Sequence, residues 1–184
     1  MPSRASAFIV WVAVAALSAC SDPVHQHQVD ALGGEQPGVP EGPLHRPGQP
    51  CNVCHGDYGP ADLQFAFSGT VYVSIWEKDH PEGVALPDAK VKVFDVKGKA
   101  YETGTNCAGN FFILKSDYEP TWPVWTSIFY GMMGGQPIEQ KMSSPIQREG
   151  SCATCHADPP SVEAVGRLYM SPNFVTFPSS PSCP

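Results

Sequence analysis

The sequence predicts a mainly β protein: an antiparallel β-sandwich over residues 66–142, flanked by two loop-rich segments that each contain the pattern C-x-x-C-H. The composition supports this class, because 20 prolines and 17 glycines with only 16% charged residues favour strands and turns over long helices. The middle of the chain also supports it, because short runs there alternate apolar and polar residues with a period of two.

Six such runs are separated by glycine, proline and asparagine, which are typical of turns. The alternation is clearest over 90–96, and the preceding segment 86–89 is predicted to be a turn. Residues 97–99 are predicted to form a hairpin turn, and the glycine-rich segment 131–135 a flexible connection. The six predicted strands are 65–76, 90–96, 100–105, 111–114, 123–130 and 137–142.

Parts of this middle region resemble the carboxypeptidase regulatory-like domain. The resemblance rests on GTVY at 69–72, LPDAKVKV at 86–93, GK at 98–99, and TN followed by GNF within 105–111. It implies a prealbumin-like β-sandwich that has no catalytic residues of its own. Asp88 stands where the family usually has glycine, which is a small departure because aspartate tolerates the same left-handed backbone region.

The pattern C-x-x-C-H occurs twice, at 51–55 and at 152–156, in a chain with only six histidines. It is typical of c-type haem attachment, in which two thiols bind one haem and the following histidine binds its iron. We therefore expect two covalently bound haem c groups, within segments 45–65 and 143–184. The alternative is one zinc ion shared by the thiols, which leaves both histidines without a role. The expected residues are Cys51, Cys54, Cys152 and Cys155 for the thioethers, and His55 and His156 for the irons.

The sixth iron ligands have two candidates. His45 stands six residues before Cys51, where a Pro-Gly turn at 47–48 could fold it back over the first haem. Met142 ends the last predicted strand, ten residues before Cys152, and is either a thioether ligand of the second haem or a core methionine. Six strands between the motifs return the chain to the pole where it entered; an odd number would separate the two haems by roughly 20 Å or more.

The N-terminus is typical of an export signal over residues 1–19. A short basic start precedes an apolar run over 5–17, which is too short to span a bilayer comfortably. The run ends in LSAC, which resembles the lipobox of bacterial lipoproteins. This resemblance implies acylation at Cys20, and Ser21 after it favours the outer membrane. An ordinary signal peptide or a single membrane anchor are the alternatives.

Residues 20–44 are predicted to be a flexible stalk. Over 21–50 there are six prolines, five glycines and almost no apolar residues, so the stretch cannot bury enough surface to offset its ordering entropy. The remaining cysteines are Cys107 and Cys183. In an oxidising envelope compartment they are expected to form a disulfide, with two unpaired thiols as the alternative.

The whole layout resembles sandwich-containing cytochrome c-like lipoproteins of bacterial envelopes. This resemblance implies an exported, lipid-anchored electron carrier rather than an enzyme, with envelope redox proteins as partners. Two alternatives are a small haem enzyme of the peroxidase or nitrogen-oxide reductase type, and a binding module in which metal or haem is structural. A net charge of −7 without any basic run argues against nucleic acid.

Overall fold

The computed structural model describes residues 22–35, 38–39, 41–73 and 83–170, and the chain divides into two compact units, 1–33 and 34–184. In the first unit, the described residues form helix α1, Pro23–Ala31, whose N-cap Asp22 accepts a hydrogen bond from the amide of Val24. The predicted stalk did not include this helix. The helix begins with a typical start signal, an N-cap aspartate followed by proline. The prediction relied on the proline content of the whole segment and did not use this signal. The helix has no buried residue.

The second unit is mainly β, which confirms the predicted class. One sheet has three strands in the order β4-β1-β7, and the other has four in the order β3-β2-β5-β6. The only helices among the described residues of this unit are the single turn α2, Asn52–His55, and a 3₁₀ turn, Cys152–Thr154. The strands are β1 Phe65–Tyr72, β2 Lys90–Asp95, β3 Ala100–Gly104, β4 Asn110–Leu114, β5 Val124–Met133, β6 Gln136–Lys141 and β7 Leu168–Tyr169.

Each of the six predicted strands has its counterpart among β1–β6. The predicted flexible segment 131–135 is instead the end of β5, which continues through a bulge at Gly131, followed by the turn into β6. Strand β1 ends at Tyr72, and residues 74–76 of the first predicted strand lie outside the described residues. Strand β7 was not predicted. It runs parallel to β1, whereas the pairs within β1–β6 are antiparallel.

One hydrophobic core contains side chains from both sheets. Strand β2 alternates exposed and buried residues, as its sequence predicted, whereas β1 is buried at all eight positions. Continuous burial is typical of a strand that is covered on both faces and paired on both edges. Among the core residues are Phe67 and Val71 of β1, Val91 and Val93 of β2, Phe111 and Ile113 of β4, and Val124 and Ile128 of β5.

The turn before β2 confirms the expectation for Asp88. This residue has a φ of 59°, in the left-handed region that aspartate tolerates better than most residues. The hydroxyl of Thr105 fixes the turn, because it donates to the carbonyl of Leu86 at 2.7 Å and accepts from the amide of Ala89 at 2.9 Å.

The carboxylate of Asp95 holds the β2–β3 hairpin. It accepts hydrogen bonds from the amides of Lys97 and Lys99, both at 2.9 Å, and from the amide of Thr121 at 3.0 Å. The Thr121 amide, followed by those of Lys99 and Lys97, keeps the pKa of Asp95 below its ordinary value, although burial opposes this effect. Folding therefore favours the ionised carboxylate.

We predict that Asp95→Asn lowers the thermal unfolding midpoint at neutral pH. The folded pKa of Asp95 is depressed, so its contribution is complete above the unfolded pKa and is lost as the pH falls through the folded pKa. The difference between variant and wild type should therefore shrink in acid. Thermal unfolding monitored by circular dichroism across this pH range tests the prediction, with exposed Asp62→Asn as the control. A difference that is independent of pH would contradict it.

Candidate functional site

The first C-x-x-C-H motif forms one helical turn with a loop folded back against it. The amide of His55 donates to the carbonyl of Cys51 at 2.8 Å, which closes the turn. The loop then returns, and the amide of Ala61 donates to the carbonyl of Cys54 at 3.0 Å. Two residues later, the carbonyl oxygen of Leu63 lies 2.9 Å from Nδ1 of His55. The histidine ring is thus oriented by backbone that immediately precedes β1.

The second motif repeats this arrangement. The amide of His156 donates to the carbonyl of Cys152 at 2.8 Å, and the amide of Val165 donates to the carbonyl of Cys155 at 2.9 Å. The carbonyl oxygen of Gly166 lies 3.0 Å from Nδ1 of His156. Gly166 stands two residues before β7, as Leu63 stands two residues before β1. The two motifs are therefore one structural unit used twice.

These contacts determine the tautomer of both rings, that is, which ring nitrogen carries the proton. A carbonyl oxygen can only accept, so Nδ1 of each neutral histidine carries the proton and Nε2 keeps its lone pair. Metal-binding histidines are usually oriented in this way. Nε2 of His156 is buried and has no hydrogen-bond partner. Burial also lowers the pKa of His156, although the Gly166 carbonyl opposes this, so the neutral form is favoured.

An ion pair after each motif was missed by the sequence analysis. The shared pattern is C-x-x-C-H-x-D, because Asp57 and Asp158 both stand two residues after the histidine. Asp57 pairs with Lys115, and Asp158 pairs with the buried Arg167 at 2.5 Å. Aligning the two motifs with each other would have shown this common aspartate, which ties each return loop to the β-sheet region.

His55 belongs to a column of stacked rings. Its ring lies 4.1 Å from that of Phe65 between centroids, and Phe65 lies 4.8 Å from Phe112. The ring of His45 also stacks with that of His55, with 5.8 Å between the centroids and an angle of 17° between the planes. The side-chain amide of Asn110 donates to the carbonyl of His45 at 3.1 Å and so fixes its position. The structure thus brings His45 to the first motif.

His45 has the opposite tautomer to the two motif histidines. Its Nδ1 accepts a hydrogen bond from the amide of Gly42 at 3.2 Å. In a neutral ring, Nε2 then carries the proton, so this nitrogen has no lone pair to offer a metal. To bind a metal through Nε2, His45 must give up the hydrogen bond from the Gly42 amide, so that Nδ1 can carry the proton instead of Nε2.

An apolar cleft of about 450 Å³, which includes space open to solvent, borders the second motif. Met142 lies in this cleft with Cys152, Cys155 and His156, so the structure brings together the residues that the sequence assigned to the second site. The amide of Met142 donates to the carbonyl of Thr126 at 3.1 Å, which fixes its backbone. The hydroxyl oxygen of Ser151 also lines the cleft, and like Nε2 of His156 it is buried without a hydrogen-bond partner.

The four motif cysteines are free thiols in unequal surroundings. Cys152 is buried and Cys155 is exposed, while Cys51 and Cys54 are partly buried. Burial, with a smaller contribution from the Cys51 thiol, raises the pKa of Cys152 far above its usual range. In the described parts of the chain, which include all four thiols, no three His, Cys, Asp or Glu residues are grouped to hold a metal ion.

Both motifs lie against β1. The hydroxyl of Ser68 donates to the side-chain oxygen of Asn52 in the first motif at 2.8 Å. The amide of Ser68 donates to the carbonyl of Gly150, just before the second motif, at 2.8 Å. The six strands between the motifs therefore return the chain to the place where it entered, which is the arrangement predicted for an even number of strands. Neither Ser68 nor Asn52 was singled out by the sequence analysis, because nothing in their local sequence indicates contacts so distant along the chain.

Two predicted site residues, Cys20 and Cys183, lie outside the described residues. Cys107 is disulfide-bonded, whereas the other four described cysteines are free. The pairing with Cys183 and the acylation of Cys20 stay predictions. Within the described ranges, no helix is both long enough and apolar enough to cross a membrane.

Comparison with known proteins identifies no relatives. No protein-family model matches the chain, and neither a curated protein nor a solved structure matches it.

We predict that Gly150→Ala destabilises the protein, because a Cβ at this position would overlap the carbonyl oxygen of Ala66 in β1. Overpacking of this kind costs roughly 1–3 kcal/mol of unfolding free energy. Gly104→Ala is the matched control, since its Cβ would meet no atom closer than 3.9 Å. Urea denaturation of both variants measures the difference. Equal midpoints would show that the second motif is not packed tightly on β1.

Proposed function

We propose that this protein is a dihaem c-type cytochrome that transfers single electrons between redox proteins of a bacterial envelope. The observation that carries the proposal is the repeated geometry of the two motifs. Each holds its histidine through Nδ1 and leaves the lone pair of Nε2 available, and in His156 this atom is buried without a hydrogen-bond partner. This is the environment that an iron-binding imidazole requires.

The residues present fit covalent haem at both positions. Cys51 and Cys54 would attach the first group and Cys152 and Cys155 the second, with His55 and His156 as proximal ligands. Bound haem would supply an iron that gains and loses one electron at a time. The chain itself orients the two imidazoles, through the carbonyl oxygens of Leu63 and Gly166.

Met142 is proposed as the sixth ligand at the second site. Its position in the same cleft as His156 supports ligation over a purely structural role in the core. A thioether ligand and apolar surroundings both favour the reduced form, so the second site should have the higher reduction potential. A filled sixth position also favours an electron carrier over a haem enzyme, which needs an open one.

His45 is proposed as the sixth ligand at the first site. Its ring lies near His55, with 5.8 Å between the centroids, and its backbone is fixed by Asn110. This assignment requires His45 to give up the hydrogen bond that its Nδ1 accepts from the Gly42 amide, so that Nε2 is free of its proton. Met142 needs no such change, because a thioether sulfur carries no proton.

The proposed location is the bacterial envelope, with a lipid on Cys20 as the anchor, facing the periplasm or attached to the outer membrane. The apolar run and LSAC sequence at the N-terminus support export and acylation. The disulfide at Cys107 supports an oxidising compartment as well, because structural disulfides are rare in the cytosol. Cys183 is the proposed partner of Cys107.

We also propose that the two sheets form a β-sandwich of the carboxypeptidase regulatory-like type. The common core between a three-stranded and a four-stranded sheet supports this fold. The left-handed Asp88 agrees with the glycine that this family usually has at the same turn. In this proposal the sandwich is the rigid support of the two haem segments.

Haem stoichiometry tests the function directly. The chain from Cys20 onwards, produced together with a cytochrome c maturation system, should carry two covalent haems by intact mass and by pyridine haemochrome absorbance. The double variant Cys51→Ala/Cys54→Ala should carry one, since each motif attaches its own group. A chain without haem from a host that matures a reference cytochrome would overturn the proposal, particularly if zinc were bound instead.

Met142→Leu tests the second ligand. Leucine has a similar volume, so core packing is largely preserved while the thioether is lost. We expect one midpoint potential to fall and the other to stay the same, with loss of the near-infrared band of methionine-bound ferric haem. Met132→Leu is the control, because Met132 is 65% exposed on β5. Unchanged potentials and spectra in Met142→Leu would assign this residue to the core.

A further inference from the structure

A single residue of β1, Ser68, contacts both motif segments. Its side chain bonds Asn52, the neighbour of Cys51, and its backbone amide bonds Gly150, two residues before Cys152. Ser68 also forms a parallel bridge with Ser151. Ser68 is fully buried and Ser151 is 1% exposed, so the contact with the second motif is shielded from water, whereas Asn52 of the first motif is partly exposed.

Close packing supports the same connection. A Cβ added to Gly69 would lie 2.9 Å from Cβ of Cys152, so the first cysteine of the second motif rests directly on β1. A Cβ added to Gly150 would lie 3.2 Å from the side-chain nitrogen of Asn52, so the approach to the second motif also touches the first. Larger side chains at either glycine would push the second motif away from β1.

The sheet fixes where the two motifs lie relative to each other. Each motif leads into its own strand, β1 or β7, and these strands run parallel with Val71 opposite Leu168. The first motif contacts β1 from Phe65, on which the ring of His55 stacks, to Ser68, which bonds Asn52. Cys152 of the second motif packs at Gly69, so the two motifs meet β1 at adjacent residues, which are about 3 Å apart along a strand.

We propose that the two C-x-x-C-H sites act as one electrically coupled pair whose spacing is fixed by Ser68. The proposal rests on haem attachment at both motifs. Because the two motifs meet β1 at neighbouring residues, the charge of one site acts on the other at short range. Reduction of either site therefore makes reduction of the other harder. One electron enters from a reduced donor protein and one leaves to an oxidised acceptor protein, with exchange between the sites and without bond or proton transfer.

A redox titration followed by visible absorbance tests the coupling. It compares the two-haem chain with two single-haem variants, Cys51→Ala/Cys54→Ala and Cys152→Ala/Cys155→Ala. We expect the two-haem curve to be broader than the sum of the single-haem curves, because the second electron enters at a lower potential. A curve equal to that sum would overturn the proposal.

Electron paramagnetic resonance of the intact two-haem chain gives a second test that needs no variant. The fully oxidised protein should show signals broadened by magnetic interaction, which sharpen when one site is reduced. A simple superposition of two isolated ferric signals would overturn the proposal even if a single-haem variant failed to mature.

Ser68→Ala tests the residue assigned to the spacing. It should reduce the excess breadth of the titration curve, whereas Ser127→Ala, which alters a buried serine of β5, should leave it unchanged. Equal curves for both variants would overturn the role of Ser68. These results are distinct from failure of the proposed function, which would appear earlier as a chain that carries no haem.

Discussion

The complete burial of β1 is the constraint on which the rest of the structure depends. A strand that is buried at all eight positions must have both faces covered and both rows of backbone groups paired. Strand β4 pairs with one edge, while Ser151 and β7 occupy the other. The segment that carries the second motif is therefore needed to complete the core. For this reason the second site cannot be displaced without exposing the centre of the fold.

The two motifs show how local and distant contacts divide their roles. The turn, the return loop and the Nδ1 contact are the same in both, so the local sequence is sufficient to orient each imidazole. The surroundings differ. The ring of His55 stacks with those of Phe65 and His45 on a partly exposed segment, whereas His156 lines an apolar cleft that it shares with Met142. Under the proposed haem attachment, the same histidine geometry in unequal environments would give the two sites different potentials.

The sequence predicted the strands that are long enough to show a β-rich run between turn residues. Strand β2 was predictable because alternate residues such as Val91 and Val93 enter the core, and the turn at Asp88 was predictable because few residues accept a positive φ. Strand β7 was missed because two residues cannot show a period. Its parallel pairing was missed because it depends on where the chain returns after six strands. The candidate site follows the same division: the motif residues were evident, but the bonds of Ser68 depend entirely on the tertiary fold.

The hydrogen-bond pattern also explains why so little helix is sufficient here. In the proposed haem sites each histidine must be held in one orientation, and helical proteins commonly achieve this by packing long helices around a ligand. In this chain each motif has a single turn, and the acceptor for Nδ1 is a carbonyl two residues before a strand, at Leu63 or Gly166. Pairing within the sheet fixes that strand, so the rigidity of the β-sheet is passed to the ring through one hydrogen bond. Loosening β7 from β1 should therefore disorder His156 before it disturbs His55, because only the second carbonyl depends on so short a strand.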